Sequence, residues 1–186
     1  IERGVSGKGE VIDAAMVDGA SVLGQMMWSF RGTGLWQDER GVNLLDTGAP
    51  FYEVYETSDG KWMAVGAIEP QFYAQLLSGL ELDPESIPHQ LDAARWPELK
   101  ETFIEVFKTK TRDEWAAIFD GTDACVSPIL DFTEAPADPH LAARGSLVEI
   151  DGVMQAQVAP RFARSSTETP EPPARTATDP AAIWND

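Results

Sequence analysis

The stretch Gly66-Ala-Ile-Glu-Pro-Gln-Phe-Tyr73 sets one carboxylate, Glu69, between a run that reads as a strand and a run that reads as a helix. Pro70 fits the first helical position, where its missing N–H costs nothing, so Glu69 falls at or beside the N-cap. Two roles are open to it. An acidic group is favoured at a helix N-terminus by the local dipole. Yet the usual caps are Ser, Thr, Asp and Asn, whose short side chains fold back onto the N2 or N3 amide. Glu has a longer side chain and is better suited to reaching outward to another group.

Other chemistry-bearing residues are sparse. There is no Gly-rich phosphate loop, no paired Cys or His at metal spacing and no Gly-x-Ser-x-Gly elbow. His89 and His140 both follow proline in polar connections, the setting of an exposed loop histidine. Asp131, Glu134 and Asp138 read as solvated loop charges. Cys125 lies in the small apolar run Asp123-Ala-Cys-Val-Ser-Pro128, which suggests a buried structural thiol rather than a nucleophile.

The elements that would position Glu69 follow from pattern. Glu53 to Val65 reads as two short strands joined at Asp59-Gly60, because the Gly accepts positive φ. Phe72, Tyr73, Leu76, Leu77 and Leu80 then recur at helical spacing. Upstream, Val11-Ile12 reads as a short strand. Ile12, Met16, Ala20, Leu23, Met27 and Phe30 form one stripe of a helix expected from Asp13, its N-cap, to about Arg31. Downstream, Pro97 opens a second helix with Leu99, Phe103, Val106 and Phe107 on one face. Thr111-Arg-Asp-Glu114 fits a capping box ahead of a helix that buries Trp115, Ile118 and Phe119. Cys125 to Leu130 reads as a strand, and Ser146 to Val158 as a hairpin turning at Asp151-Gly152. After Pro160 the composition turns to Pro, Thr, Ser, Ala and Glu, too poor in apolar residues to pack as a unit.

Bulk properties narrow the classes. The 186 residues include six Trp and eight Phe, enough to fill a core. The formal charge of −17, from 31 acidic and 14 basic residues, disfavours nucleic acid and anionic membrane, since both need a positive face. A single cysteine excludes an internal disulfide and fits a reducing compartment. No run of about 18 apolar residues is present, and the expectation is a soluble, cytoplasmic protein.

The segments Gly9-Glu-Val-Ile-Asp-Ala-Ala-Met-Val-Asp-Gly19, Leu45-Asp-Thr-Gly-Ala-Pro-Phe-Tyr52, Ala64-Val-Gly-Ala-Ile-Glu-Pro-Gln-Phe-Tyr73 and Asp123-Ala-Cys-Val-Ser-Pro128 resemble the α-methylacyl-CoA racemases of the family III CoA-transferase superfamily. The resemblance implies an α+β fold: the small domain of a family III CoA-transferase, with short hairpins and helices, plus the last helix and C-terminal tail of a large α/β domain. It divides the chain into the large-domain helix at 1–32, a linker at 33–50, the small domain at 51–145, and a hairpin with a Pro-rich tail at 146–186. It further implies an interlocked homodimer acting on an acyl-CoA thioester, with no cofactor beyond the CoA carried by the substrate. Glu69 would reach across to a His and an Asp on the partner's large domain. Ile68, Met16, Met26 and Leu44 would line the substrate path.

The chain departs from that family in one large respect. The family's His and Asp lie in segments like Gly-His-Asp and Gly-Asp-Phe-Gly-Gly, and neither segment occurs in these 186 residues. The chain therefore reads as the C-terminal portion of a racemase, inactive alone. A family III CoA-transferase fragment is the alternative, its nucleophilic Asp also lying upstream.

Overall fold

Three strands and three helices hold the Glu69 corner. In the antiparallel sheet, β1 (Tyr52–Glu56) pairs with β2 (Trp62–Gly66), which pairs with β3 (Val126–Pro128). The register sets Val54 opposite Ala64 and Ala64 opposite Ser127. Asp59-Gly60 makes the β1–β2 turn, as the sequence predicts. Gly60 adopts φ +74°, and the Thr57 N–H donates to the Lys61 carbonyl at 2.9 Å. The computed structural model describes residues 2–165 and 169–172.

Alternation along the strands sends Tyr55, Met63 and Val65 to one face, where they meet α4 (Pro70–Gly79), α5 (Trp96–Phe107) and α6 (Arg112–Phe119). The buried face of α5 is Trp96, Leu99, Phe103 and Phe107, a spacing of three or four residues. Aromatic rings knit the layers together. Tyr55 stacks on Phe107 at 4.9 Å, and Phe107 meets Trp115 edge-on at 5.2 Å. The capping box of α6 is present in both directions: Glu114 N–H donates to Thr111 Oγ1, and Thr111 N–H to Glu114 Oε2. Ile118 is partly exposed, not buried as expected, because Trp115 and Phe119 already fill the core-facing side of this short helix.

The N-terminal region differs from expectation. A short α1 (Glu2–Ser6) comes first, and the predicted long helix is two: α2 (Met16–Leu23) and α3 (Gln25–Gly32). Gly24 ends one and starts the other, as its low helix propensity favours. Ala15, not Asp13, is the N-cap of α2, and Val11-Ile12 is irregular rather than a strand.

The chain divides into two compact units, Ile1–Ile129 and Leu130–Asp186. The division falls inside the span expected for the small domain, just after β3 completes its pairing with β2. In the second unit, Asp138 caps α7 (Pro139–Arg144) by accepting from the Leu141 N–H, and Asp131 accepts from the Thr133 and Glu134 amides. Both organise turns and are not merely solvated charges. β4 (Leu147–Ile150) and β5 (Val153–Ala156) form the second hairpin, with Asp151 at φ +51° and Gly152 at +78°. That pair of positive φ values suits the right-handed twist of the strands. Most of the Pro-rich tail lies outside the described residues.

Candidate active site

The turn from β2 into α4 is built from Gly66 to Pro70. The Gly66 N–H donates to the Cys125 carbonyl at 2.9 Å, which ends the β2–β3 ladder. Ala67 is fully buried and anchors the turn in the core. The Ile68 N–H donates back to the Gly66 carbonyl at 3.0 Å. Glu69 then takes an extended conformation at φ −73°, ψ 142°, and its carbonyl accepts from the Phe72 and Tyr73 amides. Pro70 opens the helix, as the sequence predicts.

Glu69 is the N-cap by position only. Its side chain makes no capping bond and is exposed, and no described residue hydrogen-bonds to its carboxylate. The backbone on both sides is fixed while the carboxylate projects outward. That arrangement can present a hydrogen-bonding or proton-exchanging group to something brought from outside. It cannot by itself supply the opposed acid and base that moving a carbon-bound proton requires.

Two clefts border this turn. One, of about 460 Å³, lies on the sheet face opposite the core and is lined by Leu45, Tyr52, Val54, Ala64, Gly66 and Cys125 among others. The other, of about 510 Å³, runs between α4 and residues 82–90 and is lined by Pro70, Tyr73, Leu77, Leu82, Ile87 and Gln90 among others. Gly66 borders the first and Pro70 the second. Tyr73 is buried, its hydroxyl has no partner among the described residues, and burial pushes its pKa up to about 12. It stays neutral.

The predicted site residues separate into groups. Ile68 adjoins Glu69 and is half-buried against the core. Leu44 also packs on the core, whereas its neighbour Leu45 faces the first cleft. The loop carrying both is held by Asp46, which accepts from the Gly41 and Asn43 amides and the Asn43 side chain. Met16 and Met26 lie on α2 and α3, 91% and 50% exposed. Cys125 is exposed rather than buried. Its φ of +53° reverses the chain just before β3 and turns the side chain away from the core. Its place on a cleft had no sequence signal, because the left-handed position is Cys125 itself and not a glycine. Among the described residues no group of three or more His, Cys, Asp or Glu could hold a metal ion. No described helix is long and apolar enough to cross a membrane.

Known proteins share this architecture. The chain superposes on the orthorhombic crystal form of Rv3272 from Mycobacterium tuberculosis with a TM-score of 0.61 at 17% identity, covering 92% of this chain and 46% of that one. A CAIB/BAIF family protein from Brucella suis gives 0.60 at 22% identity over 92% and 47%. These likenesses show the fold. The sequence is 51% identical to the alpha-methylacyl-CoA racemase of Mus musculus and 47% identical to that of Homo sapiens, each over 92% of this chain. It spans 44% of the length of either. The α+β arrangement of small antiparallel sheets and short helices is thus one that occurs within longer chains, and the match to CoA-transferase family III runs over residues 1–182. The chain belongs to CoA-transferase family III.

Proposed function

We propose that these residues form the C-terminal part of an α-methylacyl-CoA racemase, an isomerase that interconverts (R)- and (S)-2-methylacyl-CoA thioesters. The observation that carries this is Glu69, a carboxylate at a helix N-terminus that caps nothing and projects outward from a backbone fixed on both sides. The identity of about half to two racemases supports the same reading.

In the proposed reaction a base removes the α-proton from one face of the thioester and an acid returns a proton to the other. The developing enolate needs stabilisation between the two steps. A His and an Asp outside these 186 residues move the protons, and Glu69 hydrogen-bonds to that pair from the partner subunit of a homodimer. Ile68 borders the reacting end of the substrate, while Met16, Met26 and Leu44 line the path of the acyl chain. CoA arrives as part of the substrate and no further cofactor is required. The single cysteine fits work in a reducing, cytoplasmic compartment.

A CoA-transferase is the second reading. It has support in an acyl-CoA transferase of Fusarium pseudograminearum that is 28% identical over 81% of this chain. Incubating the full-length protein with (R)-2-methylacyl-CoA in deuterated water separates the two. Racemisation gives deuterium at the α-carbon with loss of stereochemistry, and the 186-residue chain alone gives no exchange above background. Transfer of CoA to an added carboxylate, without α-exchange, would replace the racemase reading with the transferase one.

A further inference from the structure

We propose that Gln90 is a positioning residue for Glu69, an inference that rests on the role given to Glu69 above. The backbone between the end of β2 and the start of α4 lies outside both ladder and helix. It leaves the carbonyls of Ala67 and Ile68 without secondary-structure partners. Gln90, more than twenty residues downstream and only 6% exposed, fills both places. Its Nε2 donates to the Ala67 carbonyl at 3.2 Å and to the Ile68 carbonyl at 2.9 Å. Both acceptors are carbonyls, so the amide nitrogen with its two hydrogens faces them and the amide oxygen does not.

The Ile68 carbonyl belongs to the peptide that ends in the Glu69 nitrogen. Holding it fixes the plane from which the Glu69 Cα is carried. On the other side the Glu69 carbonyl is held by the first turn of α4. The two peptides flanking Glu69 are therefore both anchored, one by Gln90 and one by the helix. Gln90 is anchored in turn. Its own carbonyl accepts from Trp96 Nε1 at 2.8 Å, and the Trp96 ring sits edge-on to the buried Phe51 at 5.9 Å. A line of contacts thus runs from the core through Trp96 and Gln90 to the peptide bearing the outward carboxylate. Catalytic groups held this way lose rate on small displacements.

The test is a double-mutant cycle in the full-length protein, with kcat, KM and melting temperature measured for Gln90→Met, Glu69→Gln and the pair. Met keeps the length of Gln and removes the donors. The expected result is a fall in kcat of about tenfold for Gln90→Met, with KM changed by less than about twofold. In the Glu69→Gln background the same change should lower kcat by less than about twofold, because the group it aims is gone. An equal loss in both backgrounds, or an unchanged kcat for Gln90→Met, overturns the proposal while leaving the role of Glu69 standing. An unchanged kcat for Glu69→Gln overturns the role of Glu69, and the proposal with it. Should Gln90→Met fold poorly, Gln90→Leu removes the donors without burying a charge and is read by the same criteria. Amide hydrogen exchange at Ile68 should then also speed up, and exchange as slow as in the native protein counts against the proposal.

Discussion

Helices α2 and α3 carry the same kind of apolar stripe as α5, yet the outcomes are opposite. In α5, Trp96, Leu99, Phe103 and Phe107 are all buried against the sheet. Along α2 and α3 the stripe of Met16, Ala20, Leu23, Met27 and Phe30 has similar spacing, and no residue of either helix is buried. Leu23 is 89% exposed. Periodicity records that a face is meant to be covered and says nothing of what covers it. For α5 the cover lies within the chain. For α2 and α3 the described residues do not supply it.

Matched truncations in the two stripes should give the largest difference. Phe103→Ala should cost about 3–5 kcal/mol in urea unfolding, the scale for emptying a packed aromatic site. Leu23→Ala should cost under about 0.5 kcal/mol at concentrations where the 186-residue chain is monomeric, as at an exposed position. A cost for Leu23→Ala close to that of Phe103→Ala would mean that α2 is packed in solution. The bare stripe has a second consequence, since apolar patches of this kind promote association. Sedimentation at micromolar concentration should show self-association that Leu23→Lys weakens. A native chain that sediments only as a monomer would count against this.

Smaller effects test the loop that leads into the packed region. Burial alone would raise the Asp46 pKa, but the bonds from the Asn43 side chain and from the Asn43, Gly41 and Gly48 amides outweigh it and hold the carboxyl below its usual range. A group whose folded pKa is depressed adds stability above its unfolded pKa, about 3.9 for Asp. That stability is lost as the pH falls through the lower folded value. Asp46→Asn should therefore lower stability at neutral pH and flatten part of the fall below about pH 4. An unchanged acid limb would mean that Asp46 does not contribute to the acid dependence. The smallest effect concerns Tyr73. Deleting its buried hydroxyl, which has no partner among the described residues, in Tyr73→Phe should leave stability unchanged or raise it by about 1 kcal/mol. A clear loss would show that the hydroxyl has a partner.

Signals carried by neighbouring residues were legible in the sequence. Asp59-Gly60 and Asp151-Gly152 announce their turns through a glycine at positive φ, joined at the second turn by Asp151. Thr111 and Glu114 announce their helix, and Pro70 places Glu69 at the start of α4. What escaped depends on geometry between distant residues or on a single backbone choice. The split falls at Gly24 while Gly19 stays inside α2, so a glycine in the pattern does not by itself mark where the helix ends. Cys125 is exposed by a left-handed turn at a residue type that rarely adopts one. Gln90 lies in a polar link with no motif, and its importance appears only when the carbonyls of Ala67 and Ile68 are found beside it. Asn43 and Asp46 could be read as turn formers, but not as a hub in which Asn43 is buried.

Whether Glu69 serves chemistry rather than helix capping is decided by Glu69→Gln in the full-length protein. Turnover of 2-methylacyl-CoA and melting temperature should be measured on the same preparation. Loss of a supporting group at the reacting centre predicts a fall in turnover of about a hundredfold, or roughly 3 kcal/mol in the barrier. The melting temperature should stay in place, since the side chain makes no capping bond to lose. A variant that melts early and turns over normally would contradict the claim and return Glu69 to the status of a cap.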